Sequence, residues 1–240
     1  MQIRSLIVSA LLLTVSSLYG GVISSASISG ICNTSQTAPG AFTASASVSC
    51  SGPSSAAAAN TSFTIGSPSL ASLSFSDSAA PSNVSTSTTS FDFMLVILGN
   101  SGTGFLALDY LNTASGFNDP QASANASINA TLNGATLDSG RLCGNAPAMG
   151  GPFSCSSPVP IGFGFTYGTP FELAVSVTGV AGGGLGGSNI SGTGSFTYAI
   201  LPTSTGLPDP NSTLNLVVPE PGTCGLFLGV VLLLLAGRRF

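Results

Sequence analysis

The chain has 240 residues, with four arginines, no lysine, eight acidic residues and neither histidine nor tryptophan. So few cations exclude the clustered basic groups that a phosphate backbone demands, and nucleic-acid binding with them. The missing histidine removes His-dependent triads and His-ligated zinc or copper sites. What remains is long enough to bury one good-sized core.

The first residues read MQIRSLIVSALLLTVSSLYGG. Arg4 and the amine form a positive head, Leu6 to Val15 an apolar run, and small residues follow. This is the build of a secretory signal peptide. Its expected extent is residues 1–26, with Gly20 or Ala26 preceding the cut. An N-terminal anchor is the competing reading, but no stop-transfer run follows it.

Residues 27–201 read as an exported domain. Serine, threonine, alanine, glycine and asparagine fill it, interleaved with phenylalanine, valine, leucine and isoleucine. SAAAAN around Ala57 reads as a short helical turn. In ASLSFS, Ala71, Leu73 and Phe75 share one face. Such period-two patterning predicts strands packed on a core and wet outside. FDFMLVIL is continuously apolar from Phe93 to Leu98. It predicts a central strand, either buried on both faces or carrying the hydrophobic centre of a sandwich. GNSGTG then reads as a turn and FLALDY as the return strand. Asn133-Gly134 predicts a two-residue type I′ hairpin, with Leu132 opposite Ala135 and Ala130 opposite Leu137. In GFGFTY, Phe163, Phe165 and Tyr167 fall on one side. In FELAVSVT, Phe171, Leu173, Val175 and Val177 do so, with Glu172 facing solvent. GVAGGGLGGSNISGTG predicts a flexible loop. Gly182 to Gly184 are not followed by lysine and a helix pattern, so this is no phosphate loop. A last strand follows in SGTGSFTYAIL.

These elements predict an all-β fold, a β-sandwich or jelly-roll-like domain flanked by an N-terminal signal helix and a C-terminal transmembrane helix. Residues 202–217 predict a Pro/Ser/Thr-rich stalk. In the tail, residues 218–240, Pro219 and Pro221 forbid regular helix. Residues 223–237 carry no charge and would rise about 22 Å as a helix, a marginal span of a hydrocarbon core of roughly 30 Å. Arg238 and Arg239 then act as a cytoplasmic stop, with the body outside.

The order Val218, Pro219, Glu220, Pro221, then a short apolar run, then Arg238 and Arg239, resembles the PEP-CTERM sorting signal of bacterial surface proteins. The resemblance covers about the last tenth of the chain. It implies a membrane-embedded exosortase as partner, processing near the triplet, and a Gram-negative-type host that makes extracellular polysaccharide. The basic cluster departs from the pattern in having only two arginines, followed by Phe240.

Cys32, Cys50, Cys143 and Cys155 form an even set in the expected domain, with Cys224 apart in the tail. Pairs Cys32–Cys50 and Cys143–Cys155 are the simplest of three connectivities. CxxC spacing and histidine are both absent, which argues against a structural metal. Each carboxylate reads as solvated surface. Asp109, Asn112, Asn118 and Asp119 gather oxygen ligands in one stretch, but without an EF-hand loop. Serine and threonine are plentiful, yet no histidine or lysine stands ready as a base. No catalytic residue, metal or cofactor is therefore expected.

Two functional readings follow. One is an exported, non-enzymatic cell-surface or extracellular-matrix protein, held at the membrane by its tail, sorted by an exosortase, and associated with exopolysaccharide or biofilm. The other is an extracellular carbohydrate-active enzyme using two of Asp92, Asp109 and Asp119, or a lectin-like glycan-binding domain. Sugar sites favour aromatic platforms, for which Tyr110, Tyr167 and Tyr198 are the tyrosine candidates.

Overall fold

Alternation of small polar with apolar residues commits this chain to extended backbone, because a pleated strand gives each class its own face. A computed structural model describes residues 20–31, 33–50, 55–66, 69–119, 122–144, 151–183, 185–202 and 207–217. The described residues form β1 (Gly21–Gly30), β2 (Thr34–Gly40), β3 (Thr43–Cys50), β4 (Ser55–Gly66), β5 (Ser69–Ala79), β6 (Asn83–Leu98), β7 (Thr103–Asn118), β8 (Ser123–Leu132), β9 (Ala135–Gly144), β10 (Gly151–Thr166), β11 (Phe171–Gly182), β12 (Ser188–Pro202) and β13 (Thr213–Leu216). No helix occurs among them.

The strands make two antiparallel sheets. The first runs β2-β1-β6-β11-β8-β9, with β13 pairing along β6 beyond the end of β1. The second runs β10-β7-β12-β5-β4-β3. Together they form the expected all-β sandwich. The chain changes sheet between β2 and β3, at every connection from β5 to β8, and at every connection from β9 to β13.

Beside a smaller cluster of Ala26, Ile28, Ala46, Cys50 and Ala57, inward residues of both sheets fill a main core. Its centre is a column of rings. Phe63 stacks on Phe93 at 3.9 Å, Phe91 meets Phe196 edge-on at 5.5 Å, and Phe196 stacks on Tyr110 at 4.4 Å. Tyr110 fits because residue 194 is glycine: a Cβ there would stand 2.0 Å from the tyrosine ring. The buried Tyr110 hydroxyl has no hydrogen-bond partner. Burial also holds its pKa well above the ordinary tyrosine value. Tyr110→Phe keeps the ring and removes the orphan, so it is expected to stabilise the domain by about 1 kcal/mol. An unchanged or lower urea midpoint would contradict that.

Polar bonds stitch the core towards β1 and β4. Ser24 Oγ donates to the Ala44 carbonyl at 3.0 Å and lies 2.9 Å from Thr61 Oγ1, both in the opposite sheet. At the two sides the edges are closed by different means. Gln36 Oε1 on β2 accepts the Ser47 N–H of β3 at 2.8 Å. On the other side the Cys143–Cys155 disulfide ties β9 to β10, with Cα atoms 5.8 Å apart. Pro152, Pro158 and Pro160 have one parity along the edge strand β10, where a missing N–H is tolerated and further pairing is blocked.

Several expectations need correction. Ala57 lies in β4, not a helical turn; pairing on both sides with β3 and β5 overrides alanine's helix propensity. The run from Phe93 to Leu98 is not buried on both faces. Phe93, Leu95 and Ile97 point inward, while Met94 and Leu98 are 37% and 47% exposed on the outer face. It does carry the hydrophobic centre of the sandwich. The hairpin turns at Asn133 and Gly134 with φ of 48° and 77°, and Leu132 faces Ala135. A bulge between Ala130 and Thr131 then places Ala130 opposite Asp138 rather than Leu137. The expected glycine-rich loop is short, since β11 runs to Gly182 and β12 begins at Ser188. Part of the expected stalk is β13, which buries Leu214.

β1 begins within the segment read as signal peptide, and Val22 and Ala26 are core residues. Residues 1–19, Cys32, the sorting motif Val218 to Pro221, the apolar run 223–237, and Arg238 and Arg239 lie outside the described residues. No helix of the described residues is long and apolar enough to cross a membrane. Cys50 is itself disulfide-bonded.

Candidate functional site

Many outward residues of the second sheet are small and hydroxylated, because the sequence alternates them with core residues. On β5, Leu73, Phe75 and Asp77 point in, while Ser72, Ser74, Ser76 and Ser78 point out. Strand register lines these residues up across the sheet. One row reads Ser156, Thr113, Thr193, Ser74, Asn60 and Ser45, from β10 to β3. The next row reads Ser154, Ser115, Ser191, Ser76, Ala58 and Ser47. Only Ala58 lacks a polar side chain.

Between β4 and β10 the two rows line a shallow trough of about 590 Å³. No charged side chain lines it among the described residues. Neighbouring hydroxyls hold one another in place. Thr113 Oγ1 lies 3.2 Å from Thr193 Oγ1, and Asn60 Nδ2 donates to Ser74 Oγ at 3.4 Å. Phe117, in the adjoining row opposite Asn189, is 42% exposed beside the trough.

The outer face of the first sheet is also rich in hydroxyls, and Thr88 and Thr178 form a similar pair at 3.1 Å. Both faces carry charge: Asp109 faces out from the second sheet but does not line the trough, and the first sheet holds a carboxylate pair. Asp92 and Glu172 are neighbours there; burial first, and Glu172 second, raise the Asp92 pKa above the usual carboxylate value. A second cavity, about 420 Å³, lies at one end of the sandwich. Phe163, Phe165 and Phe171 line it with Asn133, whose Oδ1 accepts the Glu172 N–H at 2.8 Å.

The predicted site residues separate rather than converge. Asp92 faces out from the first sheet and Asp109 from the second, so the two cannot flank one sugar bond. Asp109 and Asp119 are ten residues apart along extended backbone, about 33 Å, which dissolves the expected oxygen cluster. Asp119 Oδ2 accepts the Gly187 N–H at 2.8 Å and anchors the β11–β12 loop. Among the described residues, no three His, Cys, Asp or Glu side chains gather as metal ligands. Tyr110 and Tyr167 are buried and Tyr198 is half-buried, so the tyrosine platforms do not exist as expected. Phe117 was overlooked because its exposure depends on strand parity, not on residue type.

Asp77 is the carboxylate that the surface reading missed. It is 1% exposed on β5, and its Oδ2 accepts a hydrogen bond from Ser87 Oγ of β6 at 2.5 Å across the core. Its Oδ1 and the nearby Ser85 Oγ lack partners of good geometry. Burial raises its pKa from 3.8 to about 7, partly offset by the bond from Ser87. The sequence did hold the signal: Asp77 continues the inward series Leu73, Phe75 at period two.

The sequence matches no protein-family model and no curated protein. Among solved structures, dimeric latent PorU from Porphyromonas gingivalis aligns at 16% identity and TM-score 0.22, over 51% of this chain and 12% of that one. A structure of the Gt strain of infectious bursal disease virus aligns at 11% identity and TM-score 0.18, over 92% and 85% of the two chains. The enzymatically active domain of bacteriophage CBA120 tailspike protein 4 aligns at 8% identity and TM-score 0.11, over 81% and 19%. Likenesses at these scores carry no argument about function.

Proposed function

We propose that this protein is an exported, non-enzymatic component of the cell surface or extracellular matrix, whose sandwich domain contacts neutral exopolysaccharide. The observation that carries the reading is the uncharged, hydroxyl-lined trough on the outer face of the second sheet. Hydroxyl and amide groups match the hydrogen-bonding capacity of a neutral sugar chain without offering it charge. Delivery rests on the two ends. A signal helix leads the chain out, and its cut falls at or before Gly20, since removal through Ala26 would take half of β1. The bridged cysteines suit an oxidising compartment. The helix over 223–237 holds the protein briefly in the membrane, stopped by Arg238 and Arg239. An exosortase-like enzyme then acts at Val218 to Pro221.

Affinity electrophoresis through gels containing a neutral exopolysaccharide tests the reading. Retarded migration with no new reducing ends is expected. Unretarded migration, or release of reducing ends by the pure protein, would overturn it.

A further inference from the structure

We propose that the trough on the second sheet is the binding site, and that it takes an extended, uncharged, β-linked glycan lying across the strands with one sugar per strand. The inference rests on the polysaccharide reading above and adds the direction, the length and the linkage of the ligand. Direction follows from register. Along one strand, outward residues recur only at every second position, about 6.7 Å apart. Across the strands, each step of about 4.8 Å brings the next polar group, close to the length of one pyranose in an extended β-linked chain. The row from Ser156 to Ser45 makes five such steps, about 24 Å in all. A chain that coils, such as an α-1,4-linked glucan, would leave such a row after a few sugars.

Charge selects the ligand class. Nothing in the lining would attract an anionic or cationic polymer, and a charged chain would lose hydration there without gaining a counter-charge. Phe117 supplies what the hydroxyl rows lack. Its exposed ring stands on the same face, one row from Ser115, and offers an apolar platform to one sugar of the chain. Preorganisation is built in through the Thr113–Thr193 and Asn60–Ser74 contacts, so less freedom is lost on binding.

The test is equilibrium binding of cellohexaose and cellobiose to the full protein and three variants, with a panel of neutral polysaccharides alongside. Thr113→Val with Thr193→Val removes two hydroxyls and keeps shape and strand preference. Thr88→Val with Thr178→Val does the same on the first sheet. Phe117→Ala removes the platform. Equal thermal midpoints establish that all are folded. Expected are far tighter binding of the hexamer than the dimer, a loss of about tenfold in T113V/T193V, a several-fold loss in F117A, and no change in T88V/T178V. Loss in T88V/T178V with full binding in T113V/T193V would move the site to the other face, overturning this inference while the polysaccharide reading stands. Equal affinity for dimer and hexamer would overturn the across-strand placement. Failure to bind any neutral glycan would overturn both.

Discussion

The domain is expected to be most stable in acid and to lose about 4 kcal/mol between pH 4 and pH 8, through Asp77 alone. Its pKa is raised from 3.8 to about 7 by burial. Across that window the folded chain holds a proton that the unfolded chain has released. Stability from this group is therefore complete below pH 4, falls as pH rises through 7, and is flat beyond. The physical source is the position: a carboxyl between the sheets, with one oxygen bonded by Ser87 and the other orphaned. Ionised, it is a buried charge with no cation beside it, only partly offset by serine hydrogen bonds; protonated, it is a neutral polar group of tolerable cost. Asp92, also raised, acts in the same direction. Asp209 acts oppositely, its pKa lowered chiefly by the Ser212 hydroxyl. Asp77→Asn isolates the effect, since the amide keeps the shape and an acceptor for Ser87 but cannot ionise. Urea midpoints for the variant should be nearly level from pH 4 to pH 8. A wild-type profile that rises over that range would contradict the burial of Asp77.

The second large effect belongs to the clamp between β9 and β10. Cys143 and Cys155 are twelve residues apart in sequence, and each is near the edge of a different sheet. Their bond shortens the unfolded chain's freedom and also shuts one side of the sandwich. Cys143→Ala with Cys155→Ala is expected to lower stability by about 3 kcal/mol. Amide exchange should rise most in the last residues of β9 and the first of β10, because only there do the sheet edges part. Uniform acceleration throughout the domain would show that the bond acts on the unfolded state alone.

Much of the sandwich was legible because period two is a local property. Phe171 to Val177 alternate without fault, and β11 follows that pattern from end to end. Turns with their own chemistry were legible too, as at Asn133-Gly134. What the sequence hid is set by partners far along the chain. The bulge beside Ala130 and the capture of Leu214 by β6 depend on cross-strand packing that no short window contains. Alanines 56 to 59 favour helix in isolation and became strand because β3 and β5 pair with them on both sides. The trough was half legible. Serine and threonine were plainly outward, but the two rows exist only once six strands fall into register. Asp77 was misplaced for a different reason: the general preference of carboxylates for water outweighed a periodicity that was already on view.

Intact mass with terminal sequencing of the protein from the native cell surface tests its delivery and surface placement. A new N-terminus at or before Gly21, a C-terminus between Val218 and Pro221, and a mass four hydrogens below the reduced value are expected. A mature protein that keeps Arg238 and Arg239, or that begins inside β1, would contradict this.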